Sequence, residues 1–163
     1  MRESLAGNRY AKSLIALSIE KNELDAIYSD MVLVSKTIEQ SKDLDVLLKS
    51  PVVKTDKKQE VLTAIFGKNT TELTKQFLLL ISSRNREALI GDIANAFVRQ
   101  YKVIKKIIVT ELTSAVKLDA AQKEKILQLL NTEDSSSVEV IEKINPDIIG
   151  GFIVRVDDKQ IDA

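Results

Sequence analysis

The sequence predicts an α+β chain, with an N-terminal six-helix bundle over residues 1–103 and a small α/β C-terminal domain over residues 104–163. Three observations predict it. Apolar residues recur at i, i+3 or i+4, and i+7 from Tyr10 to Tyr101, the rhythm of amphipathic helices. From Ile104 onward, β-branched runs replace that rhythm. Aromatic residues make up only 4% of the chain and Trp is absent, so Leu, Ile, Val and Ala must build the core, which suits packed helices.

The elements follow in order. Tyr10, Leu14, Leu17 and Lys21 mark a first helix, widened by Ala11 and Ile15, and Asn22 interrupts it. Leu24, Ile27, Met31, Val34 and Ile38 mark a second. Ser41 is placed to cap a short third helix bearing Leu44, Leu47 and Leu48, and Ser50-Pro51 stops it because a residue before proline disfavours the helical basin. Thr55 is the expected N-cap of a fourth helix with Val61, Leu62, Ile65 and Phe66, and Gly67 its expected C-cap. Thr70 or Thr71 caps a fifth, whose Leu73, Phe77, Leu78, Leu79, Leu80 and Ile81 make it apolar on most sides. Such a helix is either central or covered by a partner. Ser83-Arg84-Asn85-Arg86 breaks the run before a sixth helix with Leu89, Ile90, Ile93, Phe97 and Tyr101.

The boundary falls near residues 102–106. Ile104 to Thr113 reads as a strand, Asp119 caps a helix with Ile126, Leu129 and Leu130, and Val138 to Ile144 is a second strand. Phe152 to Val156 is a third, with Asp157-Asp158-Lys159 as the turn of a hairpin.

Composition excludes most chemistry. The chain has no Cys and no His, which removes thiol nucleophiles, disulfides, Cys/His zinc sites and imidazole bases. Glu133-Asp134 and Asp157-Asp158 are adjacent pairs whose side chains diverge in extended backbone, so they make poor acid–base pairs or metal cages. No catalytic residue, cofactor or metal ligand is therefore expected. Lys plus Arg equals Asp plus Glu at 24 each, which argues against nucleic-acid binding, since phosphate neutralisation needs a basic surplus. Lys102, Lys105 and Lys106 are read as a solvated linker. No apolar run approaches the roughly 20 residues that span a bilayer.

Several segments together resemble one family. Arg9-Tyr10-Ala11-Lys12-Ser13-Leu14, Leu48-Lys49-Ser50-Pro51, Asn85-Arg86 followed by Leu89, and Asn145-Pro146-Asp147-Ile148-Ile149-Gly150-Gly151-Phe152-Ile153-Val154-Arg155-Val156 resemble, in order and spacing, the delta subunit of F-type ATP synthases, relatives of the mitochondrial oligomycin-sensitivity-conferring protein. The chain departs from the family pattern at Asp157 and Ala163, where glycine is usual, and it stops before the family's last C-terminal helix.

The resemblance implies a non-catalytic stator subunit of a proton-translocating enzyme. Its N-terminal domain would bind the N-terminal helix of an alpha subunit in a groove between helices one and five. Its C-terminal domain would face subunit b of the peripheral stalk, at the cytoplasmic face of the bacterial cell membrane, with membrane association indirect through the complex. Tyr10, Leu14, Phe77 and Leu80 are the expected groove residues. Gly150 and Gly151 read as a tight bend rather than a phosphate cradle, and Arg155 as a structural partner of Asp158 or Asp162. The rival reading is an unrelated helical-bundle adaptor that binds an amphipathic helix.

Overall fold

The structure is a computed structural model that describes residues 4–114, 137–144, 152–156 and 159–162. The chain divides into two compact units, Met1–Tyr101 and Lys102–Ala163.

The first unit is helical. Helix α1 spans Leu5–Glu20, α2 Leu24–Gln40, α3 Lys42–Lys49, α4 Thr55–Phe66 and α5 Glu72–Ser83. A 3-10 turn at Glu87–Leu89 leads into α6, Ile90–Ile104. Hydroxyls start three of these helices by accepting an otherwise orphaned backbone N–H. Ser4 accepts from Gly7 at 3.2 Å, Ser41 from Leu44 at 3.3 Å and Thr71 from Thr74 at 3.3 Å. Thr55 does not cap α4. Lys54 holds that position, and the Thr55 hydroxyl donates instead to Asn85 Oδ1 at 2.8 Å. The chain turns after α1 and after α5 through left-handed asparagines, Asn22 at φ 56° and Asn85 at φ 55°. Asparagine enters that region more readily than other side chains.

Gly67 does close α4, but with right-handed backbone, φ −59° and ψ −26°. The reason for glycine there is space: a Cβ would collide with the carbonyl oxygen of Thr63. Gly7 acts similarly between elements, since its added Cβ would lie 3.2 Å from the Asp92 Cβ. The missing side chain lets α1 approach α6.

The core is aliphatic with two phenylalanines. Leu14, Ile27, Met31, Val34, Leu62, Phe66, Ile81, Ile90, Ile93 and Phe97 are each at most 2% exposed. Burial of such a side chain contributes about 1.5–3 kcal/mol. Two buried hydroxyls are satisfied within their own helix: those of Ser18 and Ser82 bond the carbonyls of Leu14 and Leu78 one turn back.

The described residues of the second unit form a four-stranded sheet of β1 (Ile107–Ser114), β2 (Ser137–Ile144), β3 (Phe152–Val156) and β4 (Lys159–Asp162), in the order β2-β1-β3-β4. β1 pairs with β2 in parallel, and the β1–β3 and β3–β4 pairs are antiparallel. Lys102 and Glu139 form an ion pair at 2.6 Å.

The fold class expected from the sequence is corrected here. The described architecture is chiefly helical: all six described α-helices lie between Leu5 and Ile104. The α/β C-terminal domain is not what the described residues carry. An α/β arrangement needs a helix layered on the sheet, and past the end of α6 at Ile104 the regular elements among the described residues of the second unit are strands. The helix expected from Asp119, the Gly150-Gly151 bend and the Asp157-Asp158 turn lie outside the described residues. The first strand also starts later than expected. Ile104 remains helical, Lys106 closes α6 at φ 52°, and its N–H donates to the Val103 carbonyl at 3.1 Å. β-branched content alone therefore misplaced that boundary, because an established helix can absorb one more Val and Ile at its end.

Candidate functional site

The expected groove residues fall on two helices, and their exposure separates them. On α1, Ala11, Leu14, Ile15 and Ser18 face inward. A helix advances about 100° per residue, so Tyr10 and Leu17, seven apart, share one flank of that buried stripe. Tyr10 is half-buried and Leu17 is 37% exposed. Leu14 is 2% exposed. It closes the core beneath that flank and presents nothing to a visitor, which corrects its place among the groove residues.

On α5, Leu73, Thr74, Leu78, Ile81 and Ser82 are buried. Phe77 is half-buried and Leu80 is 52% exposed. These two lie on the flank continued toward the C-terminus by Arg84 at i+7 and i+4. An exposed leucine alone is ordinary. Here Leu80 adjoins a half-open aromatic on a helix whose mean composition is apolar, and that combination singles out the face.

One contact ties the exit of α5 to α1. Arg86, three residues past the last residue of α5, donates from Nη1 to the Tyr10 hydroxyl at 2.8 Å. Its guanidinium carbon lies 5.7 Å from the Tyr10 ring centroid. The tyrosine thus holds the cation by a hydrogen bond and by its π face. The sequence indicated Arg86 only as part of the Asn85-Arg86 pair that precedes Leu89. Its link to Tyr10, 76 residues away, had no local signal. Leu17 was legible as part of the apolar stripe, but nothing in the spacing distinguished its flank from the core.

The opposite flank of α5 borders a cavity of about 100 Å³ lined by Leu62, Phe66, Leu78 and Leu79, with Glu72 and Lys75 at its edge. Those two charges satisfy each other at 3.3 Å. Thr63 completes its polar lining, and the rest of the wall is apolar. Among the described residues no cluster of three or more His, Cys, Asp or Glu is placed to hold a metal ion, and no helix is long and apolar enough to cross a membrane.

Of the expected motif near the C-terminus, Gly150, Gly151 and Asp158 lie outside the described residues. Arg155 is in β3, in register with Gln160 of β4 and Glu111 of β1, while Asp162 is in register with Ile153.

Comparison with known proteins gives a consistent result. A family model described as ATP synthase delta (OSCP) subunit matches residues 6–163. The ATP synthase subunit delta of Cytophaga hutchinsonii is 36% identical over 162 residues, covering 99% of this chain and 88% of that protein. The ATP synthase subunit delta of Flavobacterium psychrophilum is 32% identical over 163 residues, covering 100% of this chain and 92% of its own length. Among solved structures, a chain in the cryo-EM structure of the Toxoplasma gondii mitochondrial ATP synthase hexamer matches with a TM-score of 0.76 at 22% identity. The match covers 98% of this chain and 90% of that one.

Proposed function

The chain belongs to the ATP synthase delta (OSCP) subunit family, a non-catalytic component of the peripheral stalk, and we propose that it anchors the catalytic head by receiving the N-terminal helix of an alpha subunit on the flanks of α1 and α5. The observation that carries this reading is the apolar strip of Phe77 and 52%-exposed Leu80 on α5, tied through Arg86 to half-buried Tyr10 on α1. An amphipathic helix laid on that strip would cover Leu80 and Phe77 with its own apolar face, and Tyr10 would keep its polar tip at the rim.

The second unit is assigned, on the same family reading, to subunit b of the peripheral stalk, and the whole to the cytoplasmic face of a bacterial membrane. The role is mechanical. A stator subunit resists the torque of the rotor through binding free energy and stiffness, with no bond made or broken. Holding against repeated load needs slow dissociation, and nanomolar attachment corresponds to about −12 kcal/mol. A few buried apolar anchors carry most of such a sum.

Calorimetric titration of the full chain with a synthetic peptide of the alpha-subunit N-terminus tests the assignment. Leu80→Asp places a charge under the visiting helix and is expected to weaken binding at least tenfold. Equal binding by the variant, or no heat with either protein, overturns it.

A further inference from the structure

On the reading that the α1 and α5 flanks receive an alpha-subunit helix, on which this inference rests, basic charge predominates at the exit of α5, while the exposed Asp92 on α6 adjoins α1 at Gly7, three residues before Tyr10. Helices α1 and α5 carry only two carboxylates, Glu20 and Glu72. Glu20 lies ten residues beyond Tyr10, about 15 Å along the axis. Glu72 is engaged by Lys75 at 3.3 Å, and it sits about 140° around α5 from Phe77. At the exit of α5, Arg84 and Arg86 are both exposed. Among the described residues no carboxylate pairs with either. The chain as a whole is balanced at 24 basic and 24 acidic residues, so this local imbalance is not a consequence of composition.

Arg86 is also held in place. One of its N–H groups bonds the Tyr10 oxygen at 2.8 Å, and the ring lies 5.7 Å from the guanidinium carbon. A guanidinium has five donors, so the others remain available. A tethered arginine has lost part of its rotamer freedom before a partner arrives, and it matches a carboxylate with two parallel hydrogen bonds.

We infer that Arg86, positioned by Tyr10, receives a carboxylate of the visiting alpha-subunit helix, and that this ion pair sets the register of the helix along the apolar strip. The strip made by Phe77 and Leu80 is tolerant of sliding, because apolar contact is non-directional. A fixed cation at its end is not. The partner segment therefore carries an Asp or Glu at the edge of its apolar stripe, at the end that meets Arg86. A segment with a basic residue there would be repelled by Arg84 and Arg86 together.

The test uses the full chain and the alpha-subunit N-terminal peptide, with binding read by calorimetry at low and moderate salt. Arg86→Gln is expected to weaken binding about tenfold, as for a lost charge-assisted hydrogen bond, and to flatten the salt dependence. Tyr10→Phe, which keeps the ring and removes the bond to Arg86, is expected to weaken it about threefold. Replacing the peptide's acidic residues one at a time by their amides should identify one position whose change costs nothing further in Arg86→Gln. Arg86→Lys, which keeps charge without the planar fork, should recover only part of the loss. If Leu80→Asp leaves binding intact, the docking reading itself fails. If Leu80→Asp abolishes binding but Arg86→Gln does not weaken it, or no peptide carboxylate couples to Arg86, the docking reading stands and the ion-pair inference is overturned.

Discussion

Asp30, on α2, accepts two hydrogen bonds from Thr71 at the start of α5, one from the backbone N–H and one from the hydroxyl, each at 2.8 Å. Asp30 is 7% exposed. It caps a helix from another element, where the aligned peptide dipoles favour a negative charge. Thr71 in turn accepts the Thr74 N–H at 3.3 Å, so α2 fixes where α5 begins and hence where Phe77 and Leu80 stand.

Asp30→Ala is therefore expected to destabilise the protein by about 1–3 kcal/mol, the loss of a buried acceptor that leaves the Thr71 N–H unpaired while the Thr71 hydroxyl keeps Thr74 Oγ1 at 3.1 Å. Urea unfolding followed by circular dichroism measures it. Asp30→Asn should lose about half as much. A change below about 0.5 kcal/mol for Asp30→Ala would mean that water replaces the carboxylate without cost.

A second buried charge sits between α4 and the 3-10 turn. Lys58 pairs with Glu87 at 3.1 Å and donates to the Leu48 carbonyl at 2.9 Å, with both side chains almost wholly buried. Removing one member strands the other, so Lys58→Met is expected to cost about 3–5 kcal/mol. The double variant Lys58→Met with Glu87→Leu should be more stable than the single, because no buried charge is left alone. A double variant weaker than the single by the full cost of Glu87→Leu would show the two residues to be energetically independent.

Tyr101 supplies the pH dependence. Its ring stacks on Tyr28 at 3.8 Å between centroids. Removal from water, reinforced by the hydrogen bond to Asp25 at 2.7 Å, pushes its phenol up to about 12. An unfolded tyrosine titrates near 10. The folded state thus favours the neutral form: the stabilising contribution is complete below about pH 10 and is lost as pH rises through about 12. Spectrophotometric titration of the three tyrosines should resolve one late phenol, absent in Tyr101→Phe. Three phenols titrating together near 10 in the folded protein would contradict the burial.

The helices were legible where a single chemical cause acted locally. Ser41 and Thr71 cap where a hydroxyl precedes an apolar stripe, and Pro51 stops α3 because Ser50 must be extended, at ψ 124°. Thr55 failed as a cap because its hydroxyl found a partner 30 residues away, at Asn85. The same non-local reason hid the receiving face. The apolar period of α1 contains Tyr10, Leu14 and Leu17 alike, and only packing sends Leu14 to 2% exposure while leaving Leu17 at 37%. The C-terminal class misread had another source. β-branched runs mark strands one at a time, whereas an α/β class is a statement about layers, which needs contacts the sequence does not carry.

Photo-crosslinking in the assembled ATP synthase tests the central claim most directly. A benzophenone amino acid is placed at Leu80, which is 52% exposed, or at Val46, which is 57% exposed on α3, a helix that is not part of the proposed strip. Irradiation of the position-80 protein is predicted to give an adduct with the alpha subunit that maps to its N-terminal segment, and the position-46 protein to give none. No alpha adduct from position 80, or equal yields from both positions, would contradict the account.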